Sequence, residues 1–321
     1  MKKLSEKGYG PKLLDFDHDN EKYRIDEFLV GSRELLYEEI FNEDILENLI
    51  IIINKYSQIT DIYKYELIKE DNENTKDSKK DIKIIQEGNN PFKINNNMYD
   101  IVINKVYSSS REIFEKFFID YTNNSQKNVE NDILNENNIN KIKELLNNFK
   151  NLFSSFFNTK GYFVLNHHDL YQVNILLNHQ TRKMYLIDNE FACLSMIGFD
   201  IIWYLLMSLF KYYPNYEYYP NLMNYDKFYE IFIRYLECFE KENSLWINEN
   251  EERKKYIETL KKEKYFCELL CIVNLYSFIF SLADLQFEEE FIKKTIPPFF
   301  SNVLNRIQLF EYSYKKYQSV Q

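Results

Sequence analysis

Short apolar runs closed by polar turns alternate along this chain with longer stretches of helical spacing. Tyr162-Phe163-Val164-Leu165 predicts a buried strand, and Ile175-Leu176-Leu177 and Met184-Tyr185-Leu186-Ile187 predict two more. The polar segment 178–183 between the last two has the length of a hairpin connection. Nearer the start, Lys12 to Phe16 and Tyr23 to Leu29 alternate well enough for two strands joined by a polar turn, behind the turn signal Gly8-Tyr9-Gly10-Pro11. Ile45, Leu46, Leu49, Ile50, Ile52 and Ile53 give the segment from Glu43 to Lys55 a broad apolar helical face. Ile139, Ile142, Leu145, Leu146, Phe149, Leu152, Phe153 and Phe156 predict a long amphipathic helix packed beneath the strand at 162–165.

After Asp200 the pattern is mainly helical. Ile201 to Phe210 is apolar all round and predicts a central buried helix. Tyr256 to Gln286 predicts one long helix, Pro297-Pro298 a break, and Phe299 to Tyr317 a closing helix. Residues 69–98 turn to Lys, Glu, Asp and Asn and predict a solvated, partly disordered insertion. The expected class is α+β, with a small β part and hinge over residues 1–36 and a large, mainly helical body over residues 37–321.

The polar residues with the most chemistry sit at the ends of the expected strands. Asp169 follows His167 by two residues and precedes Asn174 by five, the H-x-D-x-x-x-x-N spacing of a kinase catalytic loop. Asp188 comes fourteen residues after Asn174, where a hairpin returns it towards the first loop. Phosphoryl transfer needs a base for the acceptor hydroxyl, and an amide oxygen and a carboxylate for the metal that bridges the nucleotide phosphates. Asp169 is then the base, Asn174 and Asp188 hold Mg²⁺, and His167 supports the loop. Turn stabilisation alone is the bland alternative for Asp169 and Asn174. A zinc or iron site at His167, His168, Asp169 and His179 is disfavoured, because adjacent residues of an extended loop point in opposite directions.

Over this stretch the chain resembles the choline/ethanolamine kinase family, whose pattern runs H-N-D, N-I-L, I-D-F-E-Y and G-F-D-I. The matching residues are His167-His168-Asp169, Asn174-Ile175-Leu176, Ile187-Asp188-Asn189-Glu190-Phe191 and Gly198-Phe199-Asp200-Ile201. Aminoglycoside phosphotransferases share the first half of the pattern. The resemblance implies a protein-kinase-like fold and transfer of the ATP γ-phosphate to a small amino alcohol. It makes Asp200 and Glu190 supports of the loop and lays the hinge residues Phe28, Leu29 and Val30 against adenine. It places the acceptor pocket after Ile201 and in the helix around 265–287, with Tyr212 and Tyr213 echoing a Tyr-rich stretch of the family.

The chain also departs from the family. Few residues precede Gly8 to carry the family's phosphate-covering loop and Lys, and the six glycines form no spare phosphate loop. The N-terminal lobe is therefore expected to be truncated, or the ATP clamp lost. The family's W-x-x-W pair aligns with Leu270 and Val273, leaving Tyr204 or Tyr276 as replacements. A catalytically impaired pseudokinase scaffold and an aminoglycoside-type phosphotransferase stay open as alternatives.

Composition narrows the partners. A net charge of −10 over 321 residues, with no dense Lys/Arg stripe, argues against nucleic acid. Four scattered cysteines, Cys193, Cys238, Cys267 and Cys271, fit free thiols in a reducing cytoplasm. The most apolar segment, Leu269 to Leu285, is interrupted by Asn274, Ser277, Ser281 and Asp284 and reads as a buried helix rather than a membrane span. The start of the chain lacks the apolar core of a signal peptide. A homodimer stays open.

Overall fold

The computed structural model describes residues 6, 10–16, 24–69, 80–85, 97–124, 135–157, 160–211, 217–283 and 289–321. Strands β1 (Leu13–Phe16) and β2 (Arg24–Asp26) pair antiparallel, with Leu13 opposite Asp26 and Phe16 opposite Arg24. β3 (Ser32–Glu34) follows and belongs to a second sheet. Helix α1 (Glu43–Ser57) starts where the side chain of Asn42 accepts from the amides of Asp44 and Ile45, which satisfies two of the donors a helix start leaves unpaired. Its six expected apolar positions are all buried.

β4 (Tyr63–Lys69) and β5 (Lys80–Ile85) pair antiparallel, so part of the segment expected to be a solvated insertion is strand. Residues 70–79 and 86–96 of that segment lie outside the described residues. A π-helical turn, Ile101–Val106, leads into α2 (Tyr107–Asn124), and α3 (Glu136–Ser155) follows, capped by Asn135. β6 (Lys160–Asn166) then enters between β4 and β9 (Cys193–Met196), giving an antiparallel sheet of order β5-β4-β6-β9. Between β6 and β9 the chain makes the hairpin β7 (Ile175–Asn178) and β8 (Met184–Leu186), which joins β3 in the order β3-β7-β8. The loop carrying Asp169 therefore spans from one sheet to the other.

The helical body comprises α4 (Phe199–Met207), α5 (Tyr225–Glu242), α6 (Glu251–Leu260), α7 (Glu263–Ala283) and α8 (Glu289–Ser319). Every residue of α4 is buried, as its all-round apolar pattern requires. The expected long helix over 256–286 is two helices, α6 and α7, that turn at Lys261-Lys262, where the amide of Lys262 bonds back to the carbonyl of Thr259. The run Lys-Lys-Glu-Lys at 261–264 puts polar residues at this corner. α7 is long and apolar enough to cross a membrane, but 89% of its apolar window is buried inside the protein. The break expected at Pro297-Pro298 does not occur, since α8 runs through it. A proline removes one helical bond, and packing of Val303, Ile307 and Phe310 in the core offsets that loss. All four cysteines are free thiols.

One glycine fixes the entry to α4. Gly198 caps the helix in the left-handed region at φ 91°, and a Cβ there would lie 2.6 Å from Cε2 of Phe232 on α5. Gly198→Ala is expected to cost about 2–5 kcal/mol, the sum of left-handed strain and overpacking. Chemical denaturation of the two proteins measures it.

Candidate active site

β6 ends on Asn166, and the loop after it is held from below by α4. The carboxylate of Asp200 accepts from the backbone amides of His167 (2.7 Å) and His168 (3.0 Å). Burial pushes the Asp200 carboxyl up to about 7, while those two amides pull it down. His167 closes the loop from the other side. The amide of Asp169 donates to its Nδ1 (3.3 Å), so its proton sits on Nε2, which donates to the carbonyl of Ile187 at 2.7 Å. Desolvation lowers the His167 pKa to about 4, so the ring is neutral near pH 7.

Asn174 then links base and hairpin. Its Nδ2 donates to both the carbonyl (2.8 Å) and the carboxylate (2.9 Å) of Asp169, and its own carbonyl accepts from the amide of Ile187 at 3.0 Å. Asp188, next in the chain, is exposed and left-handed at φ 58°. The structure thus joins Asn174 to Asp169, and Asp188 follows Ile187, whose amide bonds to the Asn174 backbone. Both His168 (φ 65°) and Asp188 depart from ordinary backbone beside the loop, which is where strained residues gather in functional sites.

The other expected residues fall in three places. Asp200 and His167 support the loop directly. Glu190 is exposed in a single turn at Asn189–Phe191. Phe28 and Val30 are exposed, and Leu29 is partly so. Asn178 Nδ2 donates to the Val30 carbonyl at 3.0 Å, which ties the hinge to the far end of β7, roughly 13 Å from Asn174 by strand rise. Tyr212 and Tyr213 lie outside the described residues, as does Gly8.

Several working residues were not legible in advance. Tyr56 on α1 packs its ring 5.9 Å from His167 and donates to Asn189 Oδ1. Asn166 and Ser195 join β6 to β9 through Asn166 Nδ2 and Ser195 Oγ (2.7 Å). Beside Asp169 opens a cavity of about 330 Å³, bounded by Trp203 of α4, Tyr276 and Phe280 of α7, and Asn302 and Arg306 of α8. The rings of Trp203 and Tyr276 stand edge to face at 5.3 Å, and Tyr276 lies 4.4 Å from Phe280. Leu270 and Val273 are core residues and do not line the cavity. Tyr276, about one turn on from Val273, is one of the aromatic residues that line the cavity. Tyr204 is not at the cavity and donates to the Ile40 carbonyl instead.

His168 is buried and its pKa is lowered to about 3 by desolvation. A base depressed in the folded state stabilises fully above its unfolded value of 6.5, and that stability is lost as pH falls towards the folded value. His168→Asn removes this proton uptake. Thermal unfolding should therefore show the variant gaining on the parent by about 2 kcal/mol between pH 6.5 and 5.

A strand-borne acidic loop slung between two small sheets, above a helical body, is the framework of a kinase-like phosphotransferase. The chain belongs to the choline/ethanolamine kinase family, whose family model matches residues 1–318. Among solved structures it is similar to a choline kinase from Cryptosporidium parvum, with TM-score 0.58 and 14% identity, over 98% of this chain and 76% of that one. It is also similar to an ethanolamine kinase from Plasmodium vivax, with TM-score 0.54 and 14% identity, over 97% of this chain and 72% of that one. At these identities the likeness is one of fold. None of the curated proteins compared matches the chain by sequence.

Proposed function

We propose that this chain transfers the γ-phosphoryl group of ATP to the hydroxyl of a small amino alcohol, with Mg²⁺. The observation that carries the reading is the pair of hydrogen bonds that Asn174 Nδ2 donates to the carbonyl and the carboxylate of Asp169. It fixes the carboxylate of a residue that lines the cavity. It also uses up the nitrogen side of the amide, so the atom Asn174 has left is its Oδ1, an oxygen ligand. Together with the exposed carboxylate of Asp188 this makes a hard oxygen donor set of the kind Mg²⁺ accepts alongside phosphate oxygens and water. The described residues hold no three-residue His, Cys, Asp or Glu cluster, and Mg²⁺ held against a nucleotide does not require one. When bound, the ion neutralises charge on the β- and γ-phosphates.

In this reading Asp169 orients the acceptor hydroxyl and takes its proton. The hydroxyl oxygen forms a bond to the γ-phosphorus while the bond from that phosphorus to the β,γ-bridging oxygen breaks. ADP leaves with the electron pair, and the proton passes from Asp169 to solvent. His167 stays neutral and holds the loop against Ile187. The aromatic faces of Trp203, Tyr276 and Phe280 suit an ammonium group by cation–π attraction.

The test is ATP- and Mg²⁺-dependent phosphorylation of ethanolamine and choline by the full chain. Asp188→Ala should weaken Mg²⁺-dependent ATP binding at least tenfold by calorimetry, and unchanged affinity would remove Asp188 from the metal site. A scaffold that binds no nucleotide is the second reading. The exposed side chains of Phe28 and Val30 favour it, and failure of the parent chain to bind Mg·ATP would establish it.

A further inference from the structure

Asp188 has a left-handed backbone, and the protein holds the residues on both sides of it. At φ 58° and ψ 60° it occupies a region that a non-glycine residue keeps only when its surroundings impose it. Before it, Ile187 is tied twice. The Ile187 carbonyl accepts from His167 Nε2 at 2.7 Å, and its amide donates to the backbone carbonyl of Asn174 at 3.0 Å. After it, the chain makes the single turn Asn189–Phe191, closed by the amide of Ala192 on the carbonyl of Asn189 at 3.2 Å. So short a turn has few bonds of its own, and Asp188 and Glu190 in it are exposed.

A side chain from α1 anchors that turn. The hydroxyl of Tyr56 donates to Asn189 Oδ1 at 2.9 Å. Tyr56 is fully buried, and burial first, then the nearby charge of Asp200, push its hydroxyl well above the usual value, so it keeps its proton and stays a donor near pH 7. The last turn of α1 is itself fixed, because Asn54 Nδ2 donates to the Tyr235 carbonyl on α5 at 3.4 Å and the amide of Ile59 donates to the Tyr56 carbonyl at 3.1 Å. The rings of Tyr56 and His167 lie 5.9 Å apart. These two neighbours therefore grip the chain one residue after and one residue before Asp188. The family pattern I-D-F-E-Y has Phe where this chain has Asn189. A Phe there could not accept from Tyr56, and a fully buried hydroxyl without an acceptor is unfavourable, so Tyr56 and Asn189 complement each other.

We propose that Tyr56 is a positioning residue for metal binding: through Asn189 it fixes the backbone at Asp188 and so pre-sets that carboxylate as a ligand. The inference rests on the phosphotransfer reading, which makes Asp188 a metal ligand, and it names the group that orients the ligand. Tyr56 is closed to solvent, so it acts through Asn189 and not on the nucleotide. A carboxylate on a fixed backbone loses little freedom when the ion binds. Groups that orient a metal ligand in this way are commonly worth about ten- to a hundredfold in metal affinity.

Calorimetry on the full chain tests this, with ATP titrated in the presence and absence of Mg²⁺. Tyr56→Phe keeps the ring against His167 and loses the hydroxyl, and Asn189→Leu removes the same bond from the exposed turn. Each should weaken Mg·ATP binding about tenfold and change the affinity for metal-free ATP less than about twofold. The double variant should be no weaker than about either single one, because both break one bond. Mg·ATP affinity unchanged in Tyr56→Phe, equal losses with and without Mg²⁺, or losses that add in the double variant would each overturn the inference. Asp188→Ala keeps the two readings apart. Mg·ATP binding that falls in Asp188→Ala but not in Tyr56→Phe overturns this inference alone, whereas a parent chain that binds no Mg·ATP overturns both.

Discussion

Asp169→Asn is expected to lower turnover by about 10²–10⁴-fold, the usual contribution of a positioned general base. The substitution preserves shape, and Asn174 Nδ2 can still donate to the remaining side-chain oxygen and to the residue 169 carbonyl, so the loop should keep its path. Affinity for Mg·ATP should change little, because the metal ligands proposed are Asn174 and Asp188. Steady-state kinetics with parallel nucleotide titration separates these effects. A loss confined to KM would mean that Asp169 binds the acceptor without removing its proton.

The largest expected effect on stability belongs to Asp200. Its two carboxylate oxygens satisfy the amides of His167 and His168 in a site closed to water. Asp200→Ala strands both donors, at about 1–3 kcal/mol each, so a loss of about 2–5 kcal/mol is expected in denaturant unfolding. Burial pushes the Asp200 carboxyl up to about 7, against the pull of the two amides. Asp200→Asn keeps one acceptor and should lose less than Asp200→Ala. The two variants also report on function, because the amides released are those of the loop that aims Asp169. A fall in turnover that exceeds the unfolded fraction is the sign of mispositioning.

The geometry of the loop was legible because it is local. His167, Asp169, Asn174 and Asp188 lie within one strand–loop–hairpin segment, so their spacing in sequence is nearly their spacing in space. The apolar runs of β6, β7 and β8 and the apolar face of α1 were legible for the same reason, since each period is written into its own segment. β5 was hidden by its setting. Its sequence, Lys80 to Ile85, sits in a polar stretch, and only pairing with β4 makes it a strand. β9 is four residues long and gains its identity from the register Asn166 opposite Cys193 and Phe163 opposite Met196.

The cavity was the least legible part. Trp203, Tyr276 and Arg306 come from three helices more than seventy residues apart in the case of the first two, and no period along the chain relates them. The Tyr-rich stretch at Tyr212 and Tyr213 lies outside the described residues, and among the described residues the helices give the cavity Trp203 from α4 and Tyr276 and Phe280 from α7.

The central claim is that Asp169, Asn174 and Asp188 form a phosphotransfer site for a small amino-bearing alcohol. It is tested most directly by incubating the full chain with γ-labelled ATP, Mg²⁺ and each of ethanolamine and choline, and measuring label on the acceptor. Labelled product from at least one of them, formed at least about a hundredfold more slowly by Asp169→Asn and lost in the absence of Mg²⁺, is the expected result. Label on none of them, or product formed as fast by Asp169→Asn as by the parent, would contradict it.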